Sequence, residues 1–290
     1  MGAIVAVTGV TGDVGGKTAE LLRAAGTSVR ALVRRPEQVD TLRERGIDAR
    51  LADLGDEDAL TAAFEGADRF FLVTPVSQRQ REQGTTAVRA AQRAGVGRIV
   101  QLSGGDAAEH SPMSWARAAW HIDRAVRESG LAWTILHPSS FMTNVQPSAP
   151  AIRRGWFPHT TGRGVIGWID TEDIARAAVR VLTEDGHDGT EPVLTGPDLL
   201  DARGVAAALA AGLGRPVRPL HLPSRVYAGA LRLSGVPAWQ AEGLRQQFGR
   251  VVRRGLDGAD VMSDDVRRIT GTAPRSLADW ARAHREDLLG

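Results

Sequence analysis

Ala3-Ile4-Val5-Ala6-Val7-Thr8-Gly9-Val10-Thr11-Gly12-Asp13-Val14-Gly15 is the stretch on which the fold turns. Ala3 to Val7 is short and wholly apolar, as a strand buried on both faces of a parallel sheet reads. It breaks at Thr8-Gly9 into a Gly-x-x-Gly-x-x-Gly run, and a helical pattern follows from Lys17 to Ala25, closed by Gly26. Gly9 permits a tight turn off the strand. Gly12 lets the backbone approach a pyrophosphate that any Cβ would push away, and Gly15 lets the helix start close against the sheet. The N–H groups and positive dipole end of that helix then face phosphate, so Gly9, Thr11, Gly12, Asp13, Val14 and Gly15 are the expected contacts of a bound dinucleotide. The competing reading is a tight turn with no ligand.

Ser28 to Val33 reads as the second strand and ends in Arg34-Arg35-Pro36. About twenty residues past the glycines is where NAD-binding proteins present an acid to the ribose 2′-hydroxyl. Two arginines stand there instead, suited to gripping a 2′-phosphate, which favours NADP(H) over NAD(H) while leaving NAD(H) open. The bland reading is a solvated arginine pair. Ala49 to Ala52 is the third strand; Asp53 and Leu54 follow at its carboxyl end, over the expected adenine pocket, with a helix-capping or loop role as the alternative for Asp53. Arg69 to Pro75 is the fourth strand, ending at Thr74 and Pro75, a helix spans 78–94, and Gly97 to Ser103 is the fifth strand. This strand–helix alternation predicts a doubly wound α/β Rossmann sheet with ligands beyond its carboxyl strand ends.

Next come a loop from Gly105 to Pro112, a helix from Met113 to Ser129 and a sixth strand, Ala132 to Leu136, ending in His137-Pro138-Ser139-Ser140-Phe141. Residues 145–168, rich in Pro, Gly and Trp, read as loops. A capped helix runs from Thr171 to Leu182, Val193 to Pro197 is a short strand, and the remainder is mainly helical, clearest at 205–213 and 238–252. The division expected is a nucleotide-binding domain over 1–150 and a small, mostly helical substrate region over 151–290, with a strand and helix returning to the first sheet.

Composition narrows the chemistry. The 290 residues carry 36 basic against 34 acidic side chains, a formal charge of +2. No basic block interleaved with aromatics stands out, so nucleic-acid binding lacks electrostatic support. The absence of cysteine excludes disulfides, thiolate catalysis and thiolate metal ligands, and no His/Asp/Glu spacing suggests a metal. No apolar run has spanning length and no signal-peptide layout is present, so a soluble cytoplasmic protein is expected. Tyr227 is the single tyrosine and Lys17 the single lysine, so no Tyr-x-x-x-Lys pair exists.

With the glycine run, Val33-Arg34-Arg35-Pro36, Asp53-Leu54 and Ser129-Gly130-Leu131-Ala132-Trp133-Thr134-Ile135, the chain resembles the NmrA-like, atypical short-chain dehydrogenase/reductases. Trp168-Ile169-Asp170-x-x-Asp173-Ile174-Ala175 and Leu194-Thr195-Gly196-Pro197 extend the likeness over most of its length. The resemblance implies a Rossmann domain, NAD(P)(H) in a cleft lined also by Pro138 and Ser139, and relatives that are quinone, dye or flavonoid-type reductases or redox-sensing regulators. It also exposes departures. The tyrosine and lysine positions of extended relatives fall on Trp115 and Ala119, and neither side chain can protonate a carbonyl. Only the serine position survives, as Ser103; His137 replaces a common arginine. His110, in the loop beyond the fifth strand, is the other candidate proton donor. His121 should face away, roughly 200° around the helix from Ala119. Trp115, Phe141 and Trp156 are read as walls of an apolar substrate pocket, with core packing as the alternative. The expected activity is NAD(P)H-dependent reduction of a conjugated or aromatic, quinone-like acceptor by hydride transfer. The rivals are a nucleotide-sensing regulator without turnover and a non-redox isomerase or cyclase of secondary metabolism. The oligomeric state is not legible.

Overall fold

Val5, Ala6 and Val7 have no exposed surface, which is the burial their uninterrupted apolar character demands. They lie in β1 (Ile4–Thr8), at the middle of a sheet in the computed structural model, which describes residues 2–255 and 260–290. The other strands are β2 (Ser28–Val33), β3 (Asp48–Leu51), β4 (Arg69–Leu72), β5 (Arg98–Leu102), β6 (Ala132–Pro138), β7 (Trp156–His159), β8 (Val193–Leu194) and β9 (Arg218–His221). Seven of them form one sheet in the order β3-β2-β1-β4-β5-β6-β8, and every pair from β3 to β6 is parallel. The order reverses direction between β1 and β4, the switch point at which such sheets open a crevice for ligands.

The helices are α1 (Asp13–Ala24), α2 (Pro36–Glu44), α3 (Glu57–Phe64), α4 (Gln80–Arg93), α5 (Ser114–Arg127), α6 (Ala149–Ile152), α7 (Thr171–Thr183), α8 (Ala202–Leu213), α9 (Ser224–Leu233), α10 (Ala238–Gln246), α11 (Asp265–Thr270), α12 (Leu277–Ala283) and α13 (Arg285–Leu289). Asp56 caps α3 by accepting from the Ala59 N–H at 2.9 Å, and Asp201 caps α8 by accepting from Gly204 N–H at 2.8 Å.

The chain divides into two compact units. The first comprises Met1–Glu109, Trp115–His137 and Ile174–Pro192; the second comprises His110–Ser114, Pro138–Asp173 and Val193–Gly290. In the first, α3 and α4 bury Leu60, Phe64, Ala87 and Ala91 with Phe70 and Leu72 of β4 and Ile99 of β5. Phe64 meets Phe70 edge to face with centroids 4.6 Å apart. In the second, Leu209 and Leu213 of α8 pack in one cluster with Leu277 and Trp280 of α12, and Trp280 is fully buried. Asp170, 1 % exposed, receives Arg275 Nη1 at 2.6 Å, Glu172 receives Nη2 at 2.9 Å, and Asp173 accepts the Arg275 backbone N–H at 2.7 Å. The Asp170-x-x-Asp173 motif therefore holds the carboxyl-terminal helices of the second unit in place.

Several boundaries differ from the sequence reading. Helix α1 starts at Asp13, ahead of Lys17, and β6 runs on through His137 to Pro138. Residues 145–168 are not only loops: a 3₁₀ turn covers Met142–Ser148, α6 follows, and β7 pairs in parallel with β9, Phe157 opposite Pro219. The long helix expected over 238–252 ends as α10 at Gln246 and continues as a π-helical stretch, Gln247–Val252. Among the described residues no helix is long and apolar enough to cross a membrane, and no group of three or more His, Asp or Glu side chains could hold a metal.

Candidate functional site

The glycine run forms the turn from β1 into α1 in the first unit. Gly9 has a φ of +68°, a conformation L side chains rarely adopt, and its carbonyl accepts the Gly12 N–H at 2.9 Å. A Cβ on Gly15 would lie 2.3 Å from the same carbonyl oxygen, so the helix can start this close to the strand only with glycine there. Gly12 is the N-cap of α1 and supplies no side-chain cap to the first turn; a Cβ on it would meet only the Gly9 oxygen, at 3.3 Å. The helix thus begins with uncapped N–H donors under open space, a cradle that fits a pyrophosphate. Thr11, Gly12 and Asp13 are exposed, whereas Val14 and Gly15 are buried and contribute backbone only. Asp13 would repel phosphate, but Lys17 pairs with it at 2.7 Å. Thr8 ties β1 to β4 under this turn, its hydroxyl donating to the Val73 carbonyl at 3.0 Å and accepting the Val73 N–H at 2.8 Å.

Beyond β2, Arg34 and Arg35 are exposed. Arg35 pairs with Glu37 at 3.4 Å, while Arg34 has no ion pair or hydrogen bond among the described residues. Beyond β3, Asp53 is exposed and its Oδ1 accepts the Gly55 N–H at 2.7 Å, a loop-shaping bond; Leu54 is half-buried. Thr74 follows β4 and accepts from Gln80 Nε2 at 3.2 Å, with exposed Pro75 next to it. Parallel pairing sets all these residues on the same edge of the sheet.

Ser103 follows β5 on that edge, its N–H donating to the Leu136 carbonyl at 2.9 Å. Its hydroxyl donates to Asp123 Oδ2 at 2.8 Å. Asp123 belongs to α5, is 1 % exposed, and its Oδ1 has no partner. Burial pushes its pKa up to about 6 against the opposing pull of His137, the Ser103 bond and Arg127, with Glu191 adding to the rise. His137 lies beside it, Nδ1 3.1 Å from the Gly104 carbonyl and Nε2 3.0 Å from Glu191, and Arg127 grips Glu191 with two bonds of 2.6 and 2.8 Å. That double bond holds Glu191 below the usual carboxylate range. The sequence reading missed Asp123. The signal available was an acid one helical turn beyond Ala119, on the same face of the helix.

Trp115 is half-buried in the first turn of α5, and its indole N–H donates to Asp106 at 3.3 Å. His121 meets Trp120 edge to face at 5.0 Å, and burial, with Arg81 and Arg124, lowers its pKa. The remaining candidates belong to the second unit. His110 is exposed there. Pro138 is buried, and Ser139 donates its hydroxyl to the Gly167 carbonyl and its N–H to Leu194. Phe141 is half-buried and bridges Ile169 through the backbone; Trp156 is 41 % exposed.

The raised pKa of Asp123 has a consequence for stability. The native state binds this proton more tightly than the unfolded chain, so its contribution is fully present below pH 3.8 and is lost as pH rises toward about 6. Asp123→Asn removes the titration and keeps an acceptor for Ser103. Its stability relative to wild type should therefore rise by roughly 1–2 kcal/mol between about pH 5 and 7.5. Urea unfolding at the two pH values measures this; a difference that does not change with pH would mean Asp123 titrates normally.

Residues 9–185 match the family described as NAD(P)H-binding. The chain is 36% identical over 282 residues to an NAD(P)H azoreductase of Xenophilus azovorans, covering 97% of this chain and 98% of that one. The structure of an NADPH-dependent quinone oxidoreductase of Escherichia coli complexed with NADPH superposes with a TM-score of 0.87 at 30% identity, over 96% of this chain and 99% of that one. NmrA, a negative transcriptional regulator solved in complex with NADP, shares the fold at 21% identity and a TM-score of 0.73, over 97% and 94% of the two chains.

Proposed function

The chain belongs to the NAD(P)H-binding family, and on that premise we propose that it is an NADPH-dependent reductase of conjugated or aromatic acceptors such as quinones and azo dyes. The observation that carries the reading is near full-length likeness to an azoreductase and a quinone oxidoreductase, at 36% and 30% identity, joined to a glycine turn shaped for a pyrophosphate. When bound, the nicotinamide supplies a hydride. The first turn of α1 would hold the pyrophosphate, and Arg34 would meet the 2′-phosphate with a charge-assisted bond. Ser103 stands at the carboxyl end of β5, with Asp123 fixing its hydroxyl. An acceptor that spreads the incoming charge over a π-system needs no strong acid and takes its proton from water.

Arg34→Ala should narrow the preference for NADPH over NADH by about tenfold to a hundredfold, the worth of one charge-assisted hydrogen bond. Calorimetry with both nucleotides measures it, and an unchanged preference would remove Arg34 from the site. The activity itself is tested by NADPH oxidation across a panel of quinones and azo dyes. Tight nucleotide binding with no oxidation by any member would overturn the reductase reading in favour of nucleotide sensing.

A further inference from the structure

Alternation along β5 puts Ile99, Gln101 and Ser103 on one face of the sheet. Ile99 packs there in one cluster with Ile122 and Val126 of α5, so that helix covers the face. Leu102 pairs with Leu136, which makes the next residues, Ser103 and His137, neighbours at the carboxyl edge. Asp123 follows Ile122 and reaches Ser103, which is half-buried, at 2.8 Å.

The two states of the Asp123 carboxyl act oppositely on that serine. A carboxylate only accepts, so the Ser103 proton stays committed to Oδ2. A carboxylic acid donates to the serine oxygen and leaves the serine proton free to turn to another acceptor. The surroundings keep both states within reach. Burial opposes the charge, His137 of β6 and Arg127 of α5 favour it, and Glu191 opposes it, which leaves the pKa at about 6. Helix α4, packed on α5 where Ile122 meets Gly84, buries no charged side chain. The contrast is Asp170, equally buried at 1 %, whose Oδ1 accepts the Glu172 N–H at 3.1 Å and whose Oδ2 accepts Arg275 at 2.6 Å. Asp123 leaves Oδ1 unbonded, which suits a group that changes protonation better than one that only braces the fold.

We propose that Asp123 is a positioning residue that switches Ser103 between a closed state, its proton held by the carboxylate, and a donor state that protonates the oxygen of a bound acceptor. The inference rests on the reductase reading and adds to it a pH-dependent choice of acceptor. In the donor state a carbonyl carbon receives hydride from NADPH, and the C=O electron pair moves to oxygen. That oxygen takes the Ser103 hydroxyl proton, the Asp123 acid proton passes to Ser103 Oγ, and the carboxylate regains a proton from water. An acceptor that leaves the charge on one oxygen gains most; a quinone, which spreads it, gains little.

The test follows NADPH oxidation by 4-nitrobenzaldehyde, whose reduction localises charge, and by 1,4-naphthoquinone. The ratio of the two kcat/KM values cancels any effect of pH on nucleotide binding. In wild type the aldehyde-to-quinone ratio should be about ten- to thirtyfold higher at about pH 5 than at about pH 7.5, as a donor titrating near pH 6 requires. Asp123→Asn cannot titrate and Ser103→Ala cannot donate, so in each the ratio should stay within about twofold across that range. A merely structural Asp123 would change the melting temperature and leave the profile alone. While naphthoquinone oxidises NADPH, three results overturn this proposal and spare the reductase reading: a wild-type ratio that does not rise, a rise that survives in either variant, or an aldehyde not reduced even in acid. Oxidation by neither acceptor at either pH overturns both. Either variant suffices if the other does not fold.

Discussion

Gly12→Val protein should fold like the wild type and bind NADPH at least about a hundredfold more weakly, the loss of two charge-assisted hydrogen bonds of about 1.5–3 kcal/mol each. The backbone at Gly12 has φ −98° and ψ 175°, extended values that valine adopts without strain. Its Cβ would find only the Gly9 carbonyl, at 3.3 Å, and the rest of the side chain would project into the space over the first turn of α1. That space is where the pyrophosphate must come. Gly15 provides the contrast, because a Cβ there would lie 2.3 Å from the Gly9 oxygen, and Gly15→Ala should lower the melting temperature as well as the affinity. Thermal unfolding and nucleotide titration of both variants separate the two effects. A Gly12→Val protein that still binds NADPH tightly would mean the turn has no part in holding phosphate.

Unactivated ketones such as cyclohexanone should be reduced with a kcat/KM about 10²–10⁴ below that of a quinone, the usual worth of a positioned general acid. Reducing an isolated carbonyl puts the charge on one oxygen, which must be protonated as it forms. The single tyrosine, Tyr227, is on α9 in the second unit, where burial raises its pKa, and the single lysine, Lys17, belongs to the second turn of α1, paired with Asp13. Ser103 does not fill the gap at neutral pH, because its hydroxyl proton is engaged by Asp123, which is ionised above about pH 6. Steady-state rates with cyclohexanone and 1,4-naphthoquinone test the point, and comparable values would reveal an acid elsewhere.

The parts of the fold legible in the sequence are those where local pattern and burial coincide. Val5, Ala6 and Val7 are covered on both faces, so nothing polar interrupts them, and a glycine is required wherever the chain turns through positive φ, as at Gly9. The place of Arg34 just past β2 is legible because it follows from the strand that carries it. By contrast, β7 contains Pro158 and finds its partner, β9, beyond α7, β8 and α8; β9 contains Pro219, and no local alternation marks either strand. Asp123 escaped for a different reason. In a helix bearing Arg124 and Arg127, an acid reads as one more solvated charge, and only the packing of α5 makes it a buried one.

The Lys17–Asp13 pair makes the nucleotide loop chemically addressable. Lys17 is the chain's only side-chain amine, and about a third of its side chain is exposed. An acylating reagent therefore modifies side chains at a single place, beside the phosphate cradle, and mass spectrometry of one peptide reads out whether that loop is covered. Acylation also strips Asp13 of its counter-charge and leaves a bare carboxylate at the mouth of α1. The same modification that reports on the nucleotide then opposes its return, so a protein labelled while empty is recorded in that state.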